Sequence, residues 1–331
     1  MTKRISSVPT TIITGFLGTG KSTAILHLLK NKPSSQRWAV LVNEFGEIGV
    51  DGSLFQGQHT QEQNVFIREV PGGCMCCTAG LPMQVALNQL LKSARPDRLL
   101  IEPTGLGHPK EVLQALTADA YRDVIDVQKI ITLVDARQLA DPRYTKHHTF
   151  NEQIAIADIV VGNKQDLYQN DECLKLEAYV KQHGASEAQL AFTQNGDMTA
   201  IDLLQKTTTL AESHHRHLHH SSEQKLLLST MPIPACGYVK ALNKGEGFYS
   251  IGWRFSNSRL FDYEKLFSFL NKVRAERMKA VFITNKGAFS YNLTSDALME
   301  NVLDNCAESR IEIIAAQIDD DWEEQLMIAT D

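Results

Sequence analysis

Residues 15–22 read Gly15-Phe16-Leu17-Gly18-Thr19-Gly20-Lys21-Ser22, a match to G-x-x-x-x-G-K-[ST]. This segment narrows the fold most, because its chemistry works only between a strand and a helix. Glycines let the backbone curl until successive N–H groups face phosphate oxygens. A helix starting directly behind them adds the positive end of its dipole. Both flanks are present: residues 10–14 are a β-branched apolar run, and residues 21–30 carry helical spacing. A plain glycine-rich turn has no need of that context. The segment therefore predicts a phosphate loop, with Gly15, Gly18, Thr19, Gly20, Lys21, Ser22 and Thr23 around the phosphates. Lys21 would reach the β- and γ-phosphates, and the Ser22 hydroxyl would ligate Mg²⁺.

The alternation continues downstream. Runs at 38–42, 65–70, 98–102, 129–135 and 159–163 read as buried strands, and stretches 82–93 and 172–182 as helices. Such a sequence predicts an α/β fold: a P-loop NTPase domain whose mostly parallel sheet is covered by helices and binds ligands beyond the carboxyl ends of its strands. A chain of 331 residues also exceeds what one core of ~250–300 residues usually holds. Past about residue 204 the pattern changes. Residues 206–230 are rich in Thr, Ser and His and read as a linker. Tyr249, Ile251, Trp253 and Phe255 then alternate with polar or small residues, as a half-buried strand does. Tyr263, Leu266, Phe267, Leu270 and Val273 follow at helical spacing. Runs 278–284 and 288–292, on either side of Asn285-Lys286-Gly287, suggest a hairpin. The expected domains are a P-loop domain over 1–205, a His-rich linker over 206–230 and a smaller C-terminal α+β domain over 231–331.

Asn163-Lys164-Gln165-Asp166 closes the run at 159–163, ~140 residues beyond the phosphate loop. N-K-x-D selects guanine: the carboxylate accepts from the N1–H and the 2-amino group, and adenine offers no N1 donor. Alone, Asp166 could equally cap the next helix; paired with the phosphate loop, the motif points to GTP. Glu102 ends another apolar run before Pro103-Thr104-Gly105. There it would hold the Mg²⁺ hydration shell, with the Gly105 amide facing the γ-phosphate, unless it caps a helix. Residues 43–51 carry Glu44, Glu47 and Asp51, any of which could orient the attacking water or bind metal. The candidate catalytic set is Lys21, Glu102 and Glu44.

Val70-Pro71-Gly72-Gly73-Cys74-Met75-Cys76-Cys77-Thr78 places three thiols within four residues. Three thiolates can wrap a borderline cation such as Zn²⁺ and leave one tetrahedral position for a further ligand. Pro82 suits the first turn of the next helix, whose positive end favours thiolate; buried, inert cysteines are the alternative. Cys173, Cys236 and Cys306 stand apart and are expected as small buried hydrophobes. Five of the eleven histidines, His214, His215, His217, His219 and His220, form one run. His27, His147 and His148 are expected to be structural or solvent-facing, and His108, though nearer the chemistry, is expected to be structural as well. A net charge of −6 without a basic run argues against nucleic acid. No stretch approaches ~18 apolar residues, which argues against a membrane span, and no targeting segment is visible. A cytoplasmic location, with thiols kept reduced, is expected.

The segments GFLGTGKST, NEFGEIGVDG, PGGCMCCT and PDRLLIEPTGLGHP, in this order, resemble the CobW-type metallochaperone GTPases, which include the zinc-regulated GTPase metalloprotein activators. The resemblance spans residues 9–204. It is weaker in the tail, where Arg277-Met278-Lys279-Ala280 stands where the family usually shows R-x-K-G. It implies GTP as substrate and Mg²⁺ on Ser22 and Glu102; because no arginine finger can be assigned from the sequence, hydrolysis is expected to be slow without a partner to complete the site. It implies further that Asn163, Lys164 and Asp166 hold the base. Cys74, Cys76 and Cys77 would carry a cargo metal, usually zinc, with Glu44 or Glu47 adding an oxygen. The histidine run would be a weak accessory metal store, or else a polar linker without a metal role. The tail would recognise a client apo-metalloprotein, and oligomers are possible. Other readings are a zinc buffer or sensor with GTP as a structural ligand, a GTPase serving cobalt or nickel enzymes, and a small-molecule kinase sharing the phosphate loop.

Overall fold

The computed structural model describes residues 5–43, 64–70, 80–203, 205–209, 232–245, 247–294, 297–304 and 306–330. The chain divides into two compact units.

The first unit is built on seven strands: β1 (Val8–Gly15), β2 (Trp38–Asn43), β3 (Val65–Val70), β4 (Arg98–Glu102), β5 (Ile125–Val134), β6 (Ile159–Gly162) and β7 (Gln189–Phe192). They pair in the order β3-β2-β4-β1-β5-β6-β7, and every pairing is parallel. Central strands of such a sheet must be apolar on both faces. Ile12, Ile13, Val40, Leu41, Leu99, Leu100, Ile130 and Ile131 are accordingly buried. Among the described residues, six helices accompany the sheet: α1 (Lys21–Lys30), α2 (Leu81–Ala94), α3 (Pro109–Thr117), α4 (Pro142–Thr145), α5 (His148–Ala155) and α6 (Glu172–His183). Leu87, Leu90 and Leu91 of α2 join Ile12, Leu41 and Leu99 in one core cluster. Pro82 lies in the first turn of α2, where its missing N–H costs no hydrogen bond. Because the strands run in parallel, the ends of β1, β4 and β6 emerge on the same edge of the sheet. Three sequence motifs are thereby gathered there.

All nine strand and helix assignments made from periodicity in this unit correspond to observed elements, with boundaries moved by a few residues. The edge strand β7 and the helices α3, α4 and α5 have no counterpart in that reading. β7 has only four residues, one exposed and three half-buried, so no apolar run marks it. Residues 205–209 bond back onto this unit: the Lys129 N–H donates to the Gln205 carbonyl, and Thr207 and Thr208 donate to Asp158.

The second unit is an antiparallel sheet of β8 (Tyr238–Gly245), β9 (Phe248–Phe255), β10 (Arg277–Thr284), β11 (Gly287–Leu293), β12 (Leu298–Leu303) and β13 (Ser309–Ala315), in the order β12-β11-β10-β13-β9-β8. Helices α7 (Tyr263–Lys272) and α8 (Trp322–Ile328) pack Leu266, Phe269, Leu270, Trp322 and Leu326 against Trp253, Phe255, Phe282, Ile311 and Ile313. Asp262 caps α7 by accepting from the Lys265 N–H at 2.9 Å. Phe267 departs from the core stripe read from spacing: it is exposed and stacks on Tyr263, ring centroids 6.0 Å apart. The hairpin turn is tighter than expected. Thr284 pairs with Gly287, so the turn is Asn285-Lys286, and Gly287, at φ +125°, already opens the return strand. Ala280 sits fully buried in β10 between Tyr291 and Ile311, so the sheet accepts a methyl where the related pattern has glycine.

One further expectation is corrected. Cys236 is exposed and Cys173 and Cys306 are half-buried, so none of the three is a fully buried hydrophobe. Burial pushes the Cys306 thiol up. No helix among the described residues is long and apolar enough to cross a membrane.

Candidate functional site

The phosphate loop leaves β1 at Gly15 and enters α1 at Lys21. Gly15 has φ +142° and Gly20 has φ +96°, both costly for a residue with a Cβ. A Cβ on Gly15 would also overlap the Leu133 carbonyl of β5, and one on Gly20 would overlap the Asn163 amide. These two glycines are thus required by conformation and by close approach. The Thr19 hydroxyl donates to the Phe16 carbonyl at 3.0 Å. Lys21, 5% exposed, donates to the Gly15 and Phe16 carbonyls at 2.8 and 3.0 Å, closing the loop on itself. The Phe16 ring lies edge-on to Tyr144, His147 and Phe150, with centroids 5.4, 4.8 and 5.9 Å away. Helix α1 has no side-chain cap and no acid in its first turn. Its amino end offers backbone N–H groups and positive potential to an anion.

Ser22 and Glu102 were paired in sequence only by their expected roles. The structure brings them together: Ser22 Oγ donates to Glu102 Oε1 at 2.9 Å. β1 and β4 are neighbours in the sheet, with Ile12 opposite Ile101, which carries the two side chains to one place. Glu102 is 3% exposed. A hydroxyl beside a buried carboxylate is a hard-oxygen pair, the donor chemistry that Mg²⁺ prefers. The following turn is organised around Thr104, which accepts from the Leu106 N–H through its hydroxyl and from the Gly107 N–H through its carbonyl. Gly105 packs so closely on Leu17 that a Cβ would lie 3.0 Å from the Leu17 nitrogen. The turn after Glu102 and the phosphate loop are therefore in direct contact.

At the end of β6 the N-K-x-D residues separate in role. The Asn163 amide donates to the Thr19 carbonyl at 2.8 Å, and its oxygen accepts from the Gly196 N–H at 3.2 Å. Asn163 therefore joins the phosphate loop to the turn after β7. Lys164 adopts a left-handed conformation, φ +61°, and its ammonium lies 3.6 Å from Asp135. Asp166 stands exposed on the short 3₁₀ turn Gln165–Leu167. The Tyr168 hydroxyl donates to the Asn163 carbonyl at 2.7 Å and accepts from the Ala136 N–H at 3.0 Å, bracing this corner. Burial pushes that phenol well above its usual range, against the Ala136 bond that works the other way.

Sequence reasoning passed over two residues. Gly196, at φ +68°, approaches Ala24 of α1 so closely that a Cβ would lie 2.7 Å from the Ala24 nitrogen. Gln153 of α5, 1% exposed, donates to the carbonyls of Gly105 and Gly107 at 3.1 and 3.3 Å. Nothing local in the sequence marks it, because its helix does not show an unbroken apolar spacing. Glu44, Glu47, Cys74, Cys76, Cys77, His214, His215, His217, His219 and His220 lie outside the described residues. His27 lies in α1 and meets the turn after β7, its Nδ1 3.4 Å from the Met198 N–H and its Nε2 3.6 Å from Asp197. His147 caps α5 by accepting from the Thr149 N–H. His108 ends the turn after Glu102 as the residue preceding α3, with Nδ1 3.1 Å from Glu152.

Comparison with known proteins agrees with this geometry. The CobW/HypB/UreG nucleotide-binding domain matches residues 9–191, the stretch that holds every described residue of the site except Gly196. A protein named zinc chaperone YeiR, from Escherichia coli (strain K12), is 39% identical over 318 residues, 95% of this chain and 94% of its own length. A zinc chaperone CobW from Pseudomonas aeruginosa is 30% identical over 249 residues, 67% of this chain and 66% of its own. Among solved structures, Zn(II)-bound YjiA GTPase from E. coli aligns over 98% of both chains at 18% identity, with a TM-score of 0.41. A phosphate loop with its hydroxyl on a buried acid, matched over more than half of the chain, makes this protein a member of the CobW/HypB/UreG family.

Proposed function

We propose that this protein binds and hydrolyses GTP and uses the nucleotide state to control its hold on a zinc-class metal ion, which it passes to a client apo-metalloprotein. The observation that carries the nucleotide half is the Ser22–Glu102 contact at the mouth of a loop closed by Lys21. The α1 amino end and the loop N–H groups would cradle the phosphates, Lys21 would turn from the loop carbonyls to the β- and γ-oxygens, and Ser22 and Glu102 would hold Mg²⁺. When bound, that ion neutralises charge on the phosphates. Asp166 would read guanine, Lys164 would flank the base, and Asn163 would hold the phosphate loop and the base-side turns in register. Glu44 is proposed to position the attacking water.

The metal half rests on the sequence PGGCMCCT and on relatives named zinc chaperones. Cys74, Cys76 and Cys77 would carry the ion, with Glu47 as a further oxygen donor and the 214–220 histidine run as a weak store. The tail over 231–331 would meet the client, and turnover would be slow without a partner that completes the site. The test measures zinc affinity in the GTP and GDP states, and GTP turnover with ATP as a control, for the natural chain and for Cys76→Ser. Zinc affinity should differ between the nucleotide states and the difference should vanish in Cys76→Ser. Equal affinity in both states would leave a buffer with a structural nucleotide, and preference for ATP would overturn the guanine reading.

A further inference from the structure

His148 and Glu152 stand one turn apart on α5, so both project from the same face of that helix. His108, at the start of α3, completes a triangle with them. Its Nδ1 is 3.1 Å from Glu152 Oε2, and the His148 Nδ1 is 3.8 Å from that oxygen. One ligand atom from each residue can be chosen so that all three lie within 4.8 Å of one another. Donors around a tetrahedral Zn²⁺ at ~2.0–2.2 Å are about 3.3–3.6 Å apart. The cluster is within a modest side-chain adjustment of that spacing. Two imidazoles and a carboxylate are a borderline donor set suited to zinc and its neighbours.

The Glu152 side chain is 10% exposed and that of His148 81% exposed, so an ion has an open approach on one side and an anchored acid on the other.

The cluster's neighbour connects it to the nucleotide site. Gln153, the next residue on α5, holds the carbonyls of Gly105 and Gly107 in the turn that follows Glu102. His108 is the residue at which that turn enters α3. We infer that His108, His148 and Glu152 form a second metal site for a zinc-class divalent cation, and that its occupancy ties α5 to this turn and so alters GTP turnover. The ligands include none of Cys74, Cys76 or Cys77, and metal binding here does not depend on the cargo reading of those residues. The effect on turnover does rest on the proposed GTP hydrolysis.

The test uses the full chain with Cys74, Cys76 and Cys77 changed to Ser and His214, His215, His217, His219 and His220 changed to Asn, as the parent. Zinc affinity is measured by competition with a chromogenic chelator, without nucleotide, and cobalt(II) serves as a spectroscopic probe. The parent should take up one equivalent, with cobalt d–d absorption and no thiolate charge-transfer band. His148→Ala, at an exposed position that leaves the core intact, should weaken binding at least about tenfold, and Glu152→Gln should do the same. No uptake by the parent, or uptake indifferent to His148→Ala, overturns the site. Zinc should also change GTP turnover of the parent by about fivefold, an effect lost in His148→Ala. If zinc binds at this site while turnover ignores it, the coupling is overturned and the site stands alone. A parent that binds zinc but hydrolyses no GTP counts against the proposed hydrolysis instead.

Discussion

In the proposed site, the choice of base depends on the two oxygens of Asp166, exposed on the turn Gln165–Leu167. A carboxylate accepts two hydrogen bonds from guanine, and an amide in its place would present one donor where two acceptors are needed. Asp166→Asn should therefore weaken GTP binding by roughly 100-fold, since charged hydrogen bonds contribute about 1.5–3 kcal/mol each. The same change should improve binding of xanthosine triphosphate, whose 2-oxo group accepts where guanine donates. A titration of both nucleotides checks this; unchanged GTP affinity removes Asp166 from the base. Lys21 makes a different case. Its ammonium is proposed to reach the β- and γ-oxygens, so Lys21→Ala should lose nucleotide affinity by at least about 100-fold. The change also leaves the Gly15 and Phe16 carbonyls without this partner, so the nucleotide-free chain should melt a few degrees lower. Calorimetric binding and a melting curve on the same sample separate those effects.

Between elements, Asn163 shows what a motif match leaves out. The tetrapeptide predicted a base-reading group, yet this side chain links the phosphate loop to the turn after β7 through the Thr19 carbonyl and the Gly196 N–H. The two partners are 144 and 33 residues away in sequence, so no local pattern could reveal them. Asn163→Ala would leave both backbone groups without this partner in a buried corner. Each such loss costs about 1–3 kcal/mol. The melting temperature should fall by several degrees, since 1 kcal/mol is worth about 2–4 °C in a unit of this size. GTP affinity should fall with it; a variant as stable as the natural chain would show that the corner repacks or takes up water. Gln153 teaches the same lesson from the opposite side: α5 went unassigned because its polar residues interrupt the apolar spacing, and one of those polar residues is the clamp on Gly105 and Gly107.

At the scale of the whole molecule, two sheets of opposite character share one chain, and their sensitivities to pH differ by the groups each buries. In the second unit Glu308 accepts from Arg254 Nε and Nη2 at 2.7 and 3.0 Å and from Arg310 Nε at 2.6 Å. Burial would raise this carboxyl, but the Arg254 bonds and the charges of both arginines prevail and hold it below its usual range. A depressed carboxyl contributes stability above its unfolded pKa, about 4.3 for Glu, and that contribution is lost as pH falls through the folded value. Stability should therefore decline below about pH 4.3, and Glu308→Gln should lower the stability at neutral pH and flatten the acid side of the curve. Denaturant midpoints across that range decide it; an unaltered slope in the variant assigns the acid sensitivity elsewhere. By itself the sequence determined the parallel α/β class, the strand–loop–helix around Lys21, the antiparallel tail and the residue types of the nucleotide site, because periodicity and short motifs are local properties of a chain. Only the tertiary structure decided that Ser22 meets Glu102, that Asn163 joins two turns instead of standing alone, and that His108 reaches Glu152. Those contacts depend on strand order and on helices packing across the sheet edge, and each joins residues that sequence separation keeps apart until the chain has folded.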